Sequence, residues 1–74
     1  MSRLPNLTAT KIIRALKRAG FEDNGQEGSH RYFWNPVTKL QTGVPMHSGD
    51  VRRSLMKEII RQAGLSEDEF RKFL

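Results

Sequence analysis

Two histidines are the residues of this sequence best suited to proton chemistry, and His30 has the more telling setting. The stretch Gly28-Ser29-His30-Arg31-Tyr32-Phe33-Trp34 joins a small-residue turn to an imidazole, an arginine and three consecutive aromatics. Imidazole, with an unperturbed pKa of about 6.5, both takes and gives a proton near neutrality. Cleavage of RNA asks for little more. A base removes the 2′-hydroxyl proton, the oxygen attacks the adjacent phosphorus, and an acid protonates the departing 5′ oxygen. Cations and backbone donors stabilise the charge on the phosphoryl oxygens. His47, at the end of Val44-Pro45-Met46-His47, is the second candidate for proton transfer. Each has a plainer use: a histidine on a strand also serves structure alone, and His47 reads equally well as a turn residue.

Around these histidines stand residues able to hold RNA. Ser29 can donate to a phosphate or cap the turn. Arg31, Lys11, Arg14, Arg53 and Lys57 can pair with phosphates, although on helices the same residues also make an ordinary solvated face. Tyr32 and Trp34 offer aromatic faces on which unpaired bases stack, or else contribute core, as Phe33 is expected to do.

Several chemistries lack their residues. There are no cysteines, so disulfides and thiolate zinc sites are out, and a reducing compartment is expected. Two histidines and eight scattered acids offer no structural zinc set, and neither a metal nor any other cofactor is expected. No GxSxG, P-loop or HExxH pattern occurs. No apolar run approaches the roughly 18 residues of a membrane span and no signal-peptide pattern opens the sequence, so a soluble, cytoplasmic protein without membrane partners is expected. Thirteen basic against eight acidic residues leave a net charge of +5, which favours a polyanionic partner.

The elements that must position these groups fit one domain over 1–74. After a lead-in over 1–7, Thr8 or Thr10 caps a helix whose apolar stripe is Ile12, Ile13, Leu16 and Ala19, and Gly20 ends it. A weak polar strand is expected over 22–28, mainly because the next strand needs a neighbour. The aromatic strand spans 29–35, with His30, Tyr32 and Trp34 on one face and Arg31 and Phe33 on the other. Asn35-Pro36 opens a turn into a third strand over 40–46. There Leu40, Thr42, Val44 and Met46 face one way and Gln41, Gly43, Pro45 and His47 the other. Pro45 marks the strand end or an edge. A second helix, capped by Asp50 or Ser54, carries Val51, Leu55, Ile59 and Ala63 to the core, with a basic stripe of Arg53, Lys57 and Arg61. Gly64 closes it. Ser66-Glu67-Asp68-Glu69 then boxes a short last helix that docks through Phe70, Phe73 and Leu74.

The order α-β-β-β-α-α makes this an α+β domain. Ala19-Gly20-Phe21, Gly28-Ser29-His30, Val44-Pro45-Met46-His47 and Ile59-Ile60-Arg61-Gln62-Ala63-Gly64-Leu65, in this order and spacing, resemble the HicA toxins of bacterial toxin–antitoxin pairs. The resemblance runs from about residue 8 to residue 70. It implies a fold like the double-stranded-RNA-binding domain, a three-stranded antiparallel sheet with helices on one face. It further implies a metal-independent endoribonuclease that cleaves mRNA and arrests translation, with the histidine of Gly-Ser-His, here His30, as catalytic residue. A HicB antitoxin partner would cover that site. Two features depart from the family pattern: the first strand is acidic and polar, with Glu27 where a lysine is common, and the loop from His47 to Ser54 is slightly short. Two rival readings use the same residues. One is a small RNA-binding module without catalysis. The other takes 59–73 as a helix-turn-helix that binds DNA, with Arg71 and Lys72 facing the duplex.

Overall fold

A hydrogen-bonded ladder between the aromatic segment and its two neighbours builds the sheet on which the other elements rest. The computed structural model describes residues 4–74; residues 1–3 of the expected lead-in lie outside that range. The elements are α1 (Ala9–Arg18), β1 (Glu22–Glu27), β2 (His30–Trp34), β3 (Gln41–Pro45), α2 (Arg53–Gln62) and α3 (Glu67–Arg71). The sheet is antiparallel throughout, in the order β1-β2-β3. This is the α+β arrangement expected from the sequence.

Its two faces differ as the alternation predicts. Phe33 on β2 and Thr42 and Val44 on β3 are buried on one face. Both α1 and α2 pack against β3 on that side, and Ile12, Leu16, Met56, Ile59 and Ile60 complete a core with them. The Thr42 hydroxyl lies 3.1 Å from the Ile59 carbonyl, so a buried polar group is satisfied at the seam between sheet and α2. His30, Tyr32 and Trp34 take the opposite, uncovered face.

β1 contains no apolar residue and every position on it is exposed. It exists because β2 is a strong strand whose other edge would otherwise carry unpaired backbone groups. One extra residue in β1 between Asp23 and Gln26 bulges the ladder. Gly25 adopts φ +96 there, and its N–H donates to the Asp23 carboxylate at 2.8 Å. Arg31 crosses over to β1, donating to Asp23 at 2.5 Å and to Gln26 at 3.1 Å.

Several expectations are corrected. Leu4 and Leu7, assigned to a lead-in, are core. The Val51 N–H donates to the Leu7 carbonyl, so this segment is tied in by backbone as well as by burial. Thr8 does cap α1, accepting from the Lys11 N–H. Neither Asp50 nor Ser54 caps α2: Arg52 holds the cap position with no side-chain bond, while Asp50 bridges to Thr8. Val51 is buried ahead of the helix rather than on its stripe. The strands are shorter than expected, and Leu40 and Met46, just outside β3, are each 38% exposed, the Leu40 side chain lying against Gly64 at the end of α2. Ser66 and Glu69 form the reciprocal capping box, and Phe70 docks α3, but Leu74 remains 41% exposed.

Candidate active site

The β1–β2 connection is a two-residue turn, Gly28-Ser29, with Glu27 directly opposite His30. Gly28 has φ +60 whereas Ser29 stays at negative φ, the pattern of a type II′ turn, which needs glycine at its first central position. His30 is thus the first residue of the central strand. It is paired on one side with Glu27 and on the other with Pro45. Its backbone is fixed from both flanks while its side chain remains exposed on the uncovered face.

Alternation along the β2–β3 ladder explains why Pro45 is tolerated there. The Met46 N–H donates to the Ser29 carbonyl at 2.6 Å and the Asn35 N–H to the Leu40 carbonyl at 2.9 Å. The 29/46 and 35/40 pairs are therefore hydrogen-bonded ones, which makes 30/45 and 32/43 the close, non-hydrogen-bonded ones. The missing N–H of Pro45 thus falls on the outer edge of β3, where no donor is needed. The ladder passes Pro45 by one residue, so His47 stands just beyond it, beside the turn and at the same end of the sheet as His30.

The imidazole has an aromatic neighbour. The rings of His30 and Tyr32 are 6.5 Å apart between centroids and inclined by 25°. Tyr32 in turn lies across Gly43, its close-pair partner: a Cβ on Gly43 would come within 2.9 Å of the Tyr32 ring. The glycine here provides room for the ring, not an unusual backbone angle. Tyr32 and Trp34 are each half-buried, and Phe33 is fully core, so the aromatics divide between platform and core.

The basic residues expected at the site do not all converge. Arg31 shares the Phe33 face and is paired with Asp23, away from the imidazole. Arg53 donates to the Leu4 carbonyl at 2.6 Å and to Asn6 at 3.1 Å, binding α2 to the segment before α1. Lys11, Arg14 and Lys57 are exposed on the helix layer. The Thr8–Asp50 bridge, three residues after His47, brings the first turns of α1 and α2 to the His30 end of the sheet. Lys11 is therefore nearer the turn along α1 than Arg14. Arg52, exposed at the cap of α2, was not singled out in the sequence; its pairing with Arg53 was the available signal.

Electrostatics around the hairpin are set by its own pairs. The Gly25 N–H, followed by Arg31, holds the Asp23 carboxyl below its ordinary value of 3.8. Among the described residues no three His, Asp or Glu side chains gather as a metal-ligand group, and no helix is long and apolar enough to cross a membrane. The α3 helix has five residues and opens with Glu67, Asp68 and Glu69. That acidic first turn is ill suited to a DNA groove, and the Arg71 side chain donates to Asp68.

The family model of the HicA toxin of bacterial toxin–antitoxin systems matches residues 9–65. No curated protein matches the chain. The chain belongs to the HicA toxin family, and as the toxin of a toxin–antitoxin pair it has a cognate antitoxin as partner.

Proposed function

We propose that this HicA-family toxin is a metal-independent endoribonuclease that cleaves mRNA in the cytoplasm and so arrests translation, with His30 as the general acid/base. The observation that carries this reading is the setting of His30. It is the first residue of the central strand, paired on both sides, set beside a glycine turn, exposed on the uncovered sheet face and flanked by a half-buried aromatic ring. A backbone so fixed loses little conformational freedom when substrate arrives and keeps the imidazole at the turn, which favours positioned proton transfer.

In the proposed reaction neutral His30 accepts the proton of a ribose 2′-hydroxyl. The 2′ oxygen attacks the adjacent phosphorus and the bond from phosphorus to the 5′ oxygen breaks. His47 delivers a proton to that leaving oxygen. The products are a 2′,3′-cyclic phosphate and a 5′-hydroxyl end. Ser29 and Lys11 are the contacts for phosphates near the turn, with Arg14 and Lys57 further along the helices. Arg31 and Arg53, engaged within the protein, act by holding β1 and the segment before α1 in place. A HicB-type antitoxin neutralises the toxin by covering the uncovered face that carries His30.

The test is induced expression of the wild type beside His30→Ala without antitoxin, with intact cellular mRNA as readout. The wild type is expected to deplete mRNA and His30→Ala, equally expressed, to spare it. If both deplete it, the role given to His30 is wrong. If both spare it, the nuclease reading is wrong.

A further inference from the structure

The uncovered sheet face carries a shallow cleft of about 450 Å³ beside Tyr32, lined by Asn24, Gly25, Gln26, Glu27, Tyr32 and Gln41. Its lining sets a half-buried aromatic ring among side-chain amides and one carboxylate. Asn24 Nδ2 donates to Gln41 Oε1 at 3.2 Å, so the two amides meet across the central strand. That bond uses one donor and one acceptor. Among the described residues it leaves Asn24 Oδ1 as an acceptor and Gln41 Nε2 as a donor without a partner inside the protein. Gln26, in contrast, is occupied by Arg31 and the Gly28 carbonyl, and serves as wall. Glu27 stands directly opposite His30 and has no basic partner among the described residues.

We infer that this cleft is a nucleobase site which selects bases bearing an exocyclic amine over uracil at the position next to the cleaved linkage. This rests on the proposal that the substrate is RNA. A flat ring wall suits stacking of an unpaired base, and in-plane donors and acceptors suit its edge. Glu27 decides which base. A carboxylate is an acceptor only, so it takes a hydrogen bond from the amine of cytosine, adenine or guanine and repels the carbonyl that uracil presents in that place. The free Gln41 amide donates to the neighbouring ring nitrogen or carbonyl. Because Tyr32 lines the cleft and stacks with His30, a base held there brings its ribose towards the imidazole. Glu27, an acid in a chain of net charge +5, thereby gains a use: it recognises a base, not a phosphate.

The test uses binding, so it does not depend on whether His30 cuts. Short 2′-O-methyl oligocytidine and oligouridine lack the attacking hydroxyl, and their bases differ chiefly in the amine-for-carbonyl exchange. Fluorescence titration of the full chain is expected to give an affinity about tenfold higher for oligocytidine, the discrimination expected of one good edge contact. Glu27→Gln, which gains a donor able to meet a carbonyl, should reduce that ratio several-fold. Tyr32→Ala should weaken both strands. Equal affinities in the wild type, no binding to either strand, or an unchanged ratio in both Glu27→Gln and Gln41→Ala would overturn the inference. A normal cytidine preference in a protein that spares mRNA would instead remove only the nuclease reading.

Discussion

Replacing Gly43 with alanine tests how tightly the platform beside His30 is built. Gly43 has no positive φ, so alanine suits its backbone and, taken alone, would stabilise by about 0.4–1 kcal/mol through the unfolded chain. The Tyr32 ring prevents that. A Cβ at position 43 lies 2.9 Å from Cε1 and 3.1 Å from Cδ1, against 3.4–4 Å for ordinary contact. Overpacking of this size costs about 1–3 kcal/mol, and a half-buried ring that can swing outward belongs in the lower half of that range. The net expectation for Gly43→Ala is a loss of about 1 kcal/mol, or about 4–8 °C in Tm for a domain of this size. In a Tyr32→Thr background, which keeps a β-branched strand former but removes the ring, the same substitution should stabilise instead. Thermal and urea unfolding followed by circular dichroism on the four proteins of this cycle gives the answer directly. If Gly43→Ala has the same sign in both backgrounds, the ring is not what the glycine accommodates, and the reasoning fails.

Three further predictions concern charges. Arg53→Met should lower stability by about 1–2 kcal/mol, because the Leu4 carbonyl and Asn6 lose a cationic donor. Lys57→Gln should leave stability within about 0.5 kcal/mol while lowering the salt slope of RNA binding by about 1. The opposite pattern would reverse the roles given to these residues. Asp23, whose carboxyl lies below its ordinary 3.8, contributes stability that is present above that pH and lost as pH falls through the folded value. The urea midpoint of the wild type should therefore drop more between about pH 5 and pH 2.5 than that of Asp23→Asn. Equal drops would mean that the Asp23 carboxylate, through the Gly25 N–H and Arg31, does not hold β1.

The turn and central strand were legible because glycine chemistry and alternation are local: Gly28-Ser29 and His30-Tyr32-Trp34 fall where those rules put them. The capping box at Ser66 was legible for the same reason. What escaped depends on partners distant in sequence. Leu4 and Leu7 have no helical or strand period around them; they join the core cluster through a segment that the Val51 amide and the Arg53 side chain tie in from far along the chain. Arg31 reads as a phosphate ligand until the β1 bulge brings Asp23 beneath it. The pairing of Asn24 with Gln41 across Tyr32 follows from register, which the polar β1 segment does not announce.

Purified wild type and His30→Ala, incubated with single-stranded RNA in the presence of a chelator, address the central claim most directly. Wild type should generate ends with a 2′,3′-cyclic phosphate and a 5′-hydroxyl. His30→Ala, with an unchanged unfolding curve, should cleave at least about 10²-fold more slowly, as expected for loss of a positioned proton-transfer group. Cleavage by His30→Ala at the wild-type rate, or ends carrying a 3′-hydroxyl and a 5′-phosphate, would contradict the assignment of His30.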